Sequence, residues 1–411
     1  MHEISDADIV IGGAGLAGLT LALALDHGLR REQSGVTITV ADPALGTAAT
    51  AACGATVLTT GARRMLESIG LWSKLRAHAE ALRDITITGA ATGDGERPTL
   101  LTVSDSIEAG EPLAYVIDIR DFRTTLLAAA RATGISLKPV RLTSATTHGD
   151  RSEARLADGS AIRTALVVAA DGAGSRLRAR AGIATTRFGH DQSVIVATLQ
   201  HDRDHQGHAE EQFLKPGRAV LLPLPGRRSA LSWSEGRREA EYLVNLTARE
   251  FEDEVERRIQ SPRGRLTLEG QACALPLCGF VARSFISERL ALVGDAAHVI
   301  HPVAGLGLNL GLTDVAALAE VIVDAARLGL DIGSPHVLKR YQRWRRFDTV
   351  AAGFGANALR LLISDRSRLG QAITGLGSGL LDRAPMIRDL LTRHAAGIGP
   401  QAPRLLRGLA L

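Results

Sequence analysis

Glycines at a spacing typical of phosphate binding follow a short apolar run near the N-terminus. The run Ala7–Gly12 has the composition of a buried strand, and an Ala- and Leu-rich helix is predicted after the glycines. In this G-x-G-x-x-G pattern, Gly13 makes a tight turn, Gly15 lets a pyrophosphate approach the backbone, and Gly18 lets the helix pack on the strand. A second strand ends at Asp42, whose carboxylate is placed to accept a hydrogen bond from a ribose hydroxyl. The pattern predicts a dinucleotide site; the alternative is a glycine-rich connection in another α/β fold.

A second stretch, Leu290–Asn309, combines a strand, an acid, a glycine loop and a helix start. Its apolar strand ends at Gly294-Asp295, and apolar residues recur at helical spacing after the turn Gly305–Gly307. The free N–H groups and the positive end of a helix favour an anionic or electron-rich group. We therefore expect this stretch to hold another part of the same ligand.

Other polar residues near these motifs have two interpretations. Asp171-Gly172 follow a third apolar strand, and they form either part of the ligand site or a turn that closes a parallel strand. His298 and His301 have no clear third ligand at metal spacing, so we expect structural histidines and no metal site. Cys273 and Cys278 are interpreted as two small core residues.

The composition is that of an ordinary globular protein. With 411 residues, 45% of them hydrophobic and 22% charged, the chain is long enough for two or three domains and an ample core. The net charge of +4 is too small to predict nucleic-acid binding, and we expect neither a transmembrane helix nor a signal peptide. Three cysteines without a CxxC motif do not make a disulfide framework, which favours a reducing, intracellular compartment.

Two regions differ in kind from the rest of the chain. From about residue 185 to 270, strands joined by polar turns and an amphipathic helix at Ala248–Ile259 indicate an inserted sheet domain that covers a cofactor. From Lys339 to Leu411 the chain is predicted to be helical, and 13 Lys and Arg against 4 Asp and Glu give a local excess of nine positive charges. The other predicted elements are helices over Gly61–Leu75 and Arg120–Thr133 and a β-meander over Leu142–Arg163.

The three glycine and acid motifs, in their order and spacing, resemble those of the class A flavin-dependent aromatic hydroxylases, which share the p-hydroxybenzoate hydroxylase fold. A narrower resemblance, over nearly the whole chain, is to the UbiH/UbiF/VisC family of ubiquinone-biosynthesis hydroxylases. It is carried by Arg63–Glu67 with Gly70–Trp72, Tyr115–Arg120, Leu221–Pro225 with Trp233, Gly294–His298, Asn309–Asp314, Arg345–Asp348 and Pro403–Gly408.

The resemblance implies an α/β fold, with a Rossmann-like FAD-binding domain, an inserted mixed β-sheet substrate domain and a C-terminal helical region. The implied boundaries are 1–75, 115–184 and 271–335 for the FAD-binding domain, 76–114 and 185–270 for the substrate domain, and 336–411 for the C-terminal region.

The resemblance also implies an FAD site. Arg120 would reach the phosphate or ribityl region, Asp295 would contact the ribityl and pyrophosphate region, and Gly307–Asn309 would lie beside the N1–C2=O edge of the flavin. Pro302 and Leu306 would line the flavin ring, and no acid–base pair is assigned. The implied cofactor-binding residues are Gly13, Ala14, Gly15, Leu16, Ala17, Gly18, Asp42, Arg120, Asp295, Gly307, Leu308 and Asn309.

The chain departs from the family pattern at two positions. Gly54 stands where relatives usually have an arginine near the flavin, so a charged contact is lost. Leu306 replaces the glutamine of a Gly-Gln-Gly loop, so a polar side chain becomes apolar. Neither change removes the backbone cradle, but both bear on how the flavin is positioned.

The activity implied is hydroxylation of the ring of a polyprenylated phenol in ubiquinone biosynthesis, through reduced FAD, O2 and a flavin C4a-hydroperoxide, with NAD(P)H or another reductant as electron donor. A greasy substrate fits the aliphatic strand residues expected to face the pocket, namely Val194, Ile195, Val196, Val220, Leu221 and Leu222.

The implied partners are the polyprenylated phenol, other ubiquinone-biosynthesis proteins and a further copy of the chain, without nucleic acid. The basic C-terminal helices would sit on the inner face of the cell membrane, or form a solvated face of a cytoplasmic protein. Two other functions stay open: an FAD hydroxylase of a small soluble aromatic or a prenyl-chain reductase, and a non-catalytic binding protein with a flavoprotein-like fold.

Overall fold

The computed structural model describes residues 4–32, 35–47, 53–90, 97–104, 110–188, 191–300, 307–346, 399 and 401–411. Its strands are β1 (Ile4–Asp6), β2 (Ile9–Gly12), β3 (Ile38–Ala41), β4 (Ala55–Thr59), β5 (Ala79–Leu82), β6 (Asp84–Thr88), β7 (Thr99–Val103), β8 (Ala114–Asp118), β9 (Ser136–Lys138), β10 (Leu142–His148), β11 (Arg151–Leu156), β12 (Ala161–Thr164), β13 (Leu166–Ala169), β14 (Thr185–Phe188), β15 (Gln192–His201), β16 (His208–Phe213), β17 (Arg218–Leu224), β18 (Arg228–Gly236), β19 (Leu266–Pro276), β20 (Gly279–Ala282), β21 (Ile286–Ser287), β22 (Leu290–Leu292) and β23 (His298–Val299). Its helices are α1 (Leu16–Arg31), α2 (Thr60–Ser68), α3 (Trp72–Leu75), α4 (Ile119–Arg131), α5 (Arg176–Arg180), α6 (Arg237–Val244), α7 (Ala248–Arg258), α8 (Gly307–Arg327) and α9 (335–346).

A six-stranded sheet in the order β21-β22-β13-β2-β3-β9 organises the FAD-binding half; all its pairings are parallel except that of β21 with β22. Strands β2, β3 and β13 are apolar and buried throughout, as parallel strands covered by helices must be. Their register aligns the strand ends Gly12, Ala41, Ala169 and Leu292 in one row. The three glycine and acid motifs therefore emerge at the same edge of one sheet, which confirms the Rossmann-like prediction.

A seven-stranded sheet in the order β19-β15-β18-β17-β16-β6-β7 forms the second half. Its two faces have different neighbours, because successive residues of a strand point to opposite sides. On one face, Ile195, Leu221 and Trp233 pack with residues of α6 and α7 in a closed apolar core. On the other face, Val220 and Leu222 pack with residues of β4, β5 and β8, a three-stranded sheet beside the FAD-binding half.

This alternation corrects one expectation about the pocket. Two runs of three aliphatic residues, one in β15 and one in β17, were expected to face the pocket, yet Ile195 and Leu221 point to the opposite side, into the helix-covered core. Val196, Val220 and Leu222 lie on the face toward the FAD-binding half. The expectation was wrong for Ile195 and Leu221, because a strand buried on both faces carries no apolar–polar alternation that would distinguish its two sides.

One predicted helix is broken. The prediction placed a single helix over Gly61–Leu75, but α2 ends at Ser68 and α3 begins at Trp72. Gly70 lies between them with a φ of +72°, a left-handed conformation that ends a helix at little cost only at glycine. Helix α4 and the meander β10–β12 appear where they were predicted.

The C-terminal residues return to the FAD-binding core. Leu405 and Leu406 are buried there, and the Arg404 guanidinium forms ion pairs with Glu320 and Asp324 of α8. The leucines that would make the C-terminal helices amphipathic, Leu359 to Leu391, lie outside the described residues. No helix in the described ranges is long and apolar enough to cross a membrane.

Candidate functional site

The glycine turn after β2 leaves room for a ligand at one position only. A Cβ atom on Gly13 would lie 2.2 Å from the Ala170 carbonyl oxygen, and one on Gly18 would lie 2.0 Å from the Gly13 carbonyl oxygen. A Cβ atom on Gly15 would meet nothing within 4 Å. Gly13 and Gly18 are thus glycines because protein backbone packs on them, whereas Gly15 faces open space where a pyrophosphate can approach.

The start of α1 is prepared for an anion. Gly15 is its N-cap, no side chain of the described residues caps it, and its first turn contains no acidic residue. Gly15, Leu16 and Ala17 lie at this helix start, whose N–H groups have no intrahelical acceptor and whose dipole is positive. The turn therefore fits the diphosphate of FAD by geometry and by charge.

Asp42 joins this turn to the end of β3. Its Oδ2 accepts a hydrogen bond from the Ala14 amide at 2.7 Å, and its Oδ1 accepts one from the Ala44 amide at 2.7 Å. A carboxylate has further lone pairs beyond these two bonds, so a ribose hydroxyl can still be bound. The predicted ribose contact of Asp42 is compatible with this placement and stays a prediction.

Two arginines lie near the start of α4, and a role was predicted for Arg120 alone. The Arg120 side chain is 54% exposed and bonds to Asp118, with 3.1 Å between Nη2 and Oδ2. Arg123, one turn later, donates from Nε to the Ala14 carbonyl at 3.3 Å and from Nη2 to the Ala44 carbonyl at 3.2 Å. Arg123 was not predicted from the sequence, because its partners are backbone carbonyls.

The second acid motif forms a turn against two helices. Gly294 has a φ of +59° and packs closely, since a Cβ atom on it would lie 3.1 Å from the Ala17 Cβ and 3.9 Å from the Gly311 Cα. Asp295, the next residue, is exposed to solvent although protein surrounds it on most sides. This crowding removes water from the carboxyl and raises its pKa, the charge of His298 lowers the pKa, and the net shift is upward. An accessible carboxyl at this edge of the sheet is compatible with the predicted contact with the ribityl chain, which stays a prediction.

A buried carboxylate holds that turn in place. Asp314 of α8 accepts hydrogen bonds from the Gly294 amide at 3.0 Å and from His298 Nε2 at 2.6 Å through Oδ2, and from Arg345 Nε at 2.9 Å through Oδ1. Burial raises the pKa of Asp314, but His298 and Arg345 outweigh burial and hold the pKa below its usual range. The carboxylate is therefore ionised, and it fixes the turn to α8 and α9.

His298 is thus a satisfied structural histidine, as expected. It is 2% exposed and its partner is a carboxylate. No group of His, Cys, Asp and Glu side chains in the described ranges is arranged to hold a metal ion. His301 lies outside the described residues, as do Pro302 and Leu306.

The start of α8 is fixed to β4 by one side chain. Asn309 Oδ1 accepts from the Thr59 amide at 3.0 Å, and its Nδ2 donates to the Val57 carbonyl at 2.7 Å. Both bonds are made by the Asn309 side chain, so the attachment of α8 to β4 does not depend on the backbone amides of Gly307 and Leu308. The arrangement brings β4 alongside the predicted flavin edge.

Asp171-Gly172 forms the turn that was one of its two interpretations, and the ligand contact stays a prediction. The Asp171 Oδ2 accepts from the Arg176 and Leu177 amides at 2.9 and 3.3 Å, which caps the short helix α5, and Gly172 has a φ of +81°. The Asp171 Oδ1 is buried without a partner among the described residues, as is expected at the rim of a ligand site. Arg178 connects the Asp171 turn to the Gly294 turn, because its guanidinium donates to the Ala296 carbonyl at 2.8 Å.

The cysteines are not placed as predicted. Cys53 and Cys273 form a disulfide with 6.7 Å between their Cα atoms, and Cys278 is exposed. The interpretation of Cys273 and Cys278 as small core residues was wrong. A pairing between residues 220 positions apart depends on how two sheets face each other, which no local pattern reveals.

Comparison with known proteins agrees with this geometry. Residues 6–349 match the family described as FAD binding domain. The ubiquinone hydroxylase UbiL of Rhodospirillum rubrum is 38% identical over 98% of this chain and 94% of its own length. The 3-demethoxyubiquinol 3-hydroxylase of Escherichia coli is 30% identical over 95% of this chain and 98% of its own length.

Solved structures share the fold. The p-nitrophenol 4-monooxygenase PnpA of Pseudomonas putida has a TM-score of 0.76 at 19% identity, over 97% of this chain and 99% of that one. PqsL of Pseudomonas aeruginosa, a probable FAD-dependent monooxygenase, has a TM-score of 0.72 at 22% identity, over 89% of this chain and 99% of that one. The chain therefore belongs to the FAD binding domain family and, within it, to the ubiquinone hydroxylases, a family of FAD-dependent monooxygenases.

Proposed function

We propose that this enzyme hydroxylates the aromatic ring of a polyprenylated phenol in ubiquinone biosynthesis, with O2 as oxygen source and NAD(P)H as electron donor. The observation that carries the proposal is the 38% identity to the Rhodospirillum rubrum ubiquinone hydroxylase over nearly the full length of both chains. Identity of that extent includes the substrate-covering sheet as well as the FAD-binding half. It therefore bears on the substrate, whereas a shared fold alone does not.

The residues of this chain would bind and orient the reactants. FAD, when bound, supplies two-electron redox chemistry and activation of O2. The turn Gly13–Gly18 would present backbone N–H groups to its diphosphate, and the helix start at Gly307 would present further N–H groups that favour negative charge on the ring. The sheet face that carries Val196 and Val220 excludes water from the reacting centre.

The same proposal assigns a peripheral position on the inner face of the cell membrane. A polyprenylated substrate resides in the bilayer, and the chain from Lys339 onward carries nine more basic than acidic residues. Such an excess is attracted to anionic lipid headgroups. Other ubiquinone-biosynthesis proteins and a second copy of the chain are proposed partners at this surface.

The proposal is tested with the purified enzyme supplied with FAD and NADPH. A short-chain polyprenylphenol is expected to stimulate NADPH oxidation and to gain 16 mass units, one oxygen atom, whereas benzoates are expected to do neither. Stimulation by small soluble aromatics alone would identify a different hydroxylase. A colourless protein that binds no FAD would support a non-catalytic role. The precursor that accumulates in a deletion strain then identifies the ring position.

A further inference from the structure

Two cysteines from opposite halves of the molecule meet beside the cleft. Cys53 lies two residues before β4, which belongs to the small sheet beside the FAD-binding half. Cys273 lies near the end of β19 in the seven-stranded sheet. Their Cα atoms are 6.7 Å apart, within the range that a disulfide spans, and both residues are partly exposed.

The sulfur of Cys273 points toward the cleft and not into the sheet core. Its neighbours Ala272 and Ala274 pack against the core under α6 and α7, so Cys273 faces the other side. It is paired in register with Val196 of β15, and a Cβ atom on Gly54 would lie 3.4 Å from the Val196 Cβ. Val196, Gly54 and both cysteines therefore form one patch where the two halves touch.

This patch lies at the N-terminal end of β4. At its far end, β4 is fixed to the start of α8 by the hydrogen bonds of Asn309 to Thr59 and Val57. At its near end, Gly54 lies against Val196 and Cys53 is bridged to Cys273, while Val57 in the middle of β4 packs with Val220 of the seven-stranded sheet. Closing the bridge joins the two sheets covalently at this end, and opening it leaves them held by apolar packing alone.

We propose that Cys53 and Cys273 are a peroxide-reactive thiol pair whose disulfide joins the two walls of the flavin cleft. One thiol attacks hydrogen peroxide, the O–O bond breaks, and a sulfenic acid and water form. The second thiol attacks the sulfenic sulfur, the S–S bond forms, and a second water leaves. Two thiols are oxidised and one peroxide is reduced by two electrons. A dithiol reductant reverses the reaction by exchange.

The first experiment maps the thiols of the whole protein by mass spectrometry. After treatment with dithiothreitol, three free cysteines are expected; after hydrogen peroxide, Cys278 alone is expected to be free, with a peptide linking Cys53 and Cys273. The variant Cys278→Ser should form the same linked peptide, and Cys273→Ser should form none. Three free thiols after peroxide, or a bridge that involves Cys278, would overturn the proposal.

The second experiment measures the rate of FAD release, which requires no substrate and is separate from the proposed activity. Joining the walls should slow FAD release from the peroxide-treated protein by on the order of tenfold relative to the reduced protein, because the cleft must open for release. The rate in Cys273→Ser should not respond to peroxide, while Cys278→Ser should respond as the unmodified protein does. Equal FAD release rates in the oxidised and reduced protein would refute the coupling of the bridge to the cleft, even if the bridge forms. A missing hydroxylase activity alone would instead count against the proposed function.

Discussion

The two walls of the cleft are held by different interactions. The FAD-side wall depends on buried charge, because Asp314 joins the turn at Gly294 to His298 and to Arg345. The sheet-side wall depends on apolar packing, with Ile195 and Leu221 in a closed core behind it. Removing one partner of a buried charge pair is strongly destabilising, because the other charge stays buried. An apolar core, in contrast, tolerates the exchange of one apolar side chain for another of similar volume. The cofactor side is thus built for fixed geometry and the substrate side for adaptable shape.

The largest expected effect comes from removing the buried charge. Asp314→Asn removes the charge of the buried carboxylate that binds both Arg345 and His298, so the free energy of unfolding should fall by about 3–5 kcal/mol. FAD affinity should fall with it, because the turn that carries Asp295 loses its anchor. Urea denaturation and FAD titration measure both quantities. As a control, Asp253→Asn changes an exposed carboxylate in α7 and should stay within about 0.5 kcal/mol; equal losses in the two variants would refute the role of the Asp314 network.

On the other wall, two adjacent residues should behave differently. Ile195→Ala empties a site in the core under α6 and α7, so unfolding should become easier by about 2–5 kcal/mol with little change in KM. Val196→Ala lies on the cleft face and should cost at most about 1 kcal/mol while changing KM for a polyprenylphenol. Denaturation and steady-state kinetics separate the two effects. A KM change in Ile195→Ala without loss of stability would contradict the assignment of the two faces.

A substitution in the glycine turn can test the space available to FAD without changing the stability of the FAD-free protein. Gly15 has a φ of −76° and open space beyond it, so Gly15→Ala should leave the stability of the FAD-free protein within about 1 kcal/mol. Its methyl group would occupy the position of the diphosphate, and the Kd for FAD should rise about tenfold to hundredfold, or about 1.4–2.8 kcal/mol. Fluorescence titration with FAD measures this. Gly35→Ala, at another exposed glycine with open space, should leave the Kd unchanged.

The smallest expected effect is a pH dependence of stability that arises from His201 in the seven-stranded sheet. His201, on the sheet side, is 6% exposed; its Nδ1 lies 2.6 Å from the Arg203 carbonyl and its Nε2 lies 3.0 Å from the Ser229 hydroxyl. Burial lowers its pKa, the Arg203 carbonyl raises it, and the positive charge of Arg263 and the neighbouring His205 lower it. The net shift is downward, so the unfolded chain binds the proton more readily than the folded protein does.

The stability contributed by neutral His201 is therefore fully present above pH 6.5, the ordinary value for histidine, and is lost as the pH falls below it. Lowering the pH from 7.5 to 5 should reduce the melting temperature of the unmodified protein more than that of His201→Gln. Differential scanning calorimetry measures this difference. The same fall in both proteins would show that other groups govern the acid response.

The sequence predicted the local chemistry of the cofactor side well. The glycine spacing at Gly13–Gly18, the acid at Asp42 and the strand–turn–helix unit from Leu290 are local patterns, and parallel register then aligned them at one edge. Arg123 was missed because its partners are backbone carbonyls of a turn about 80 to 110 residues away in sequence, and a carbonyl leaves no signal in residue types.

The sheet side was predicted in outline and not in detail. The strands were predicted, but the side of the sheet to which Ile195 and Leu221 point was predicted wrongly, because both sides of β15 and β17 are apolar. The short segment Ile69–Leu71 between α2 and α3 was absorbed into one helix, since a single glycine at the left-handed position leaves the apolar periodicity on each side intact.

The sequence by itself determined which ligand chemistry the protein has. Glycine spacing, strand-terminal acids and apolar runs are set by backbone sterics and burial, which act over a few residues. The tertiary structure decided which distant groups share a site. It brought Asp314, His298 and Arg345 to one buried point, and it placed Cys53 beside Cys273 across the cleft. Such pairings depend on the packing of whole sheets and helices against one another, and no short-range pattern specifies them.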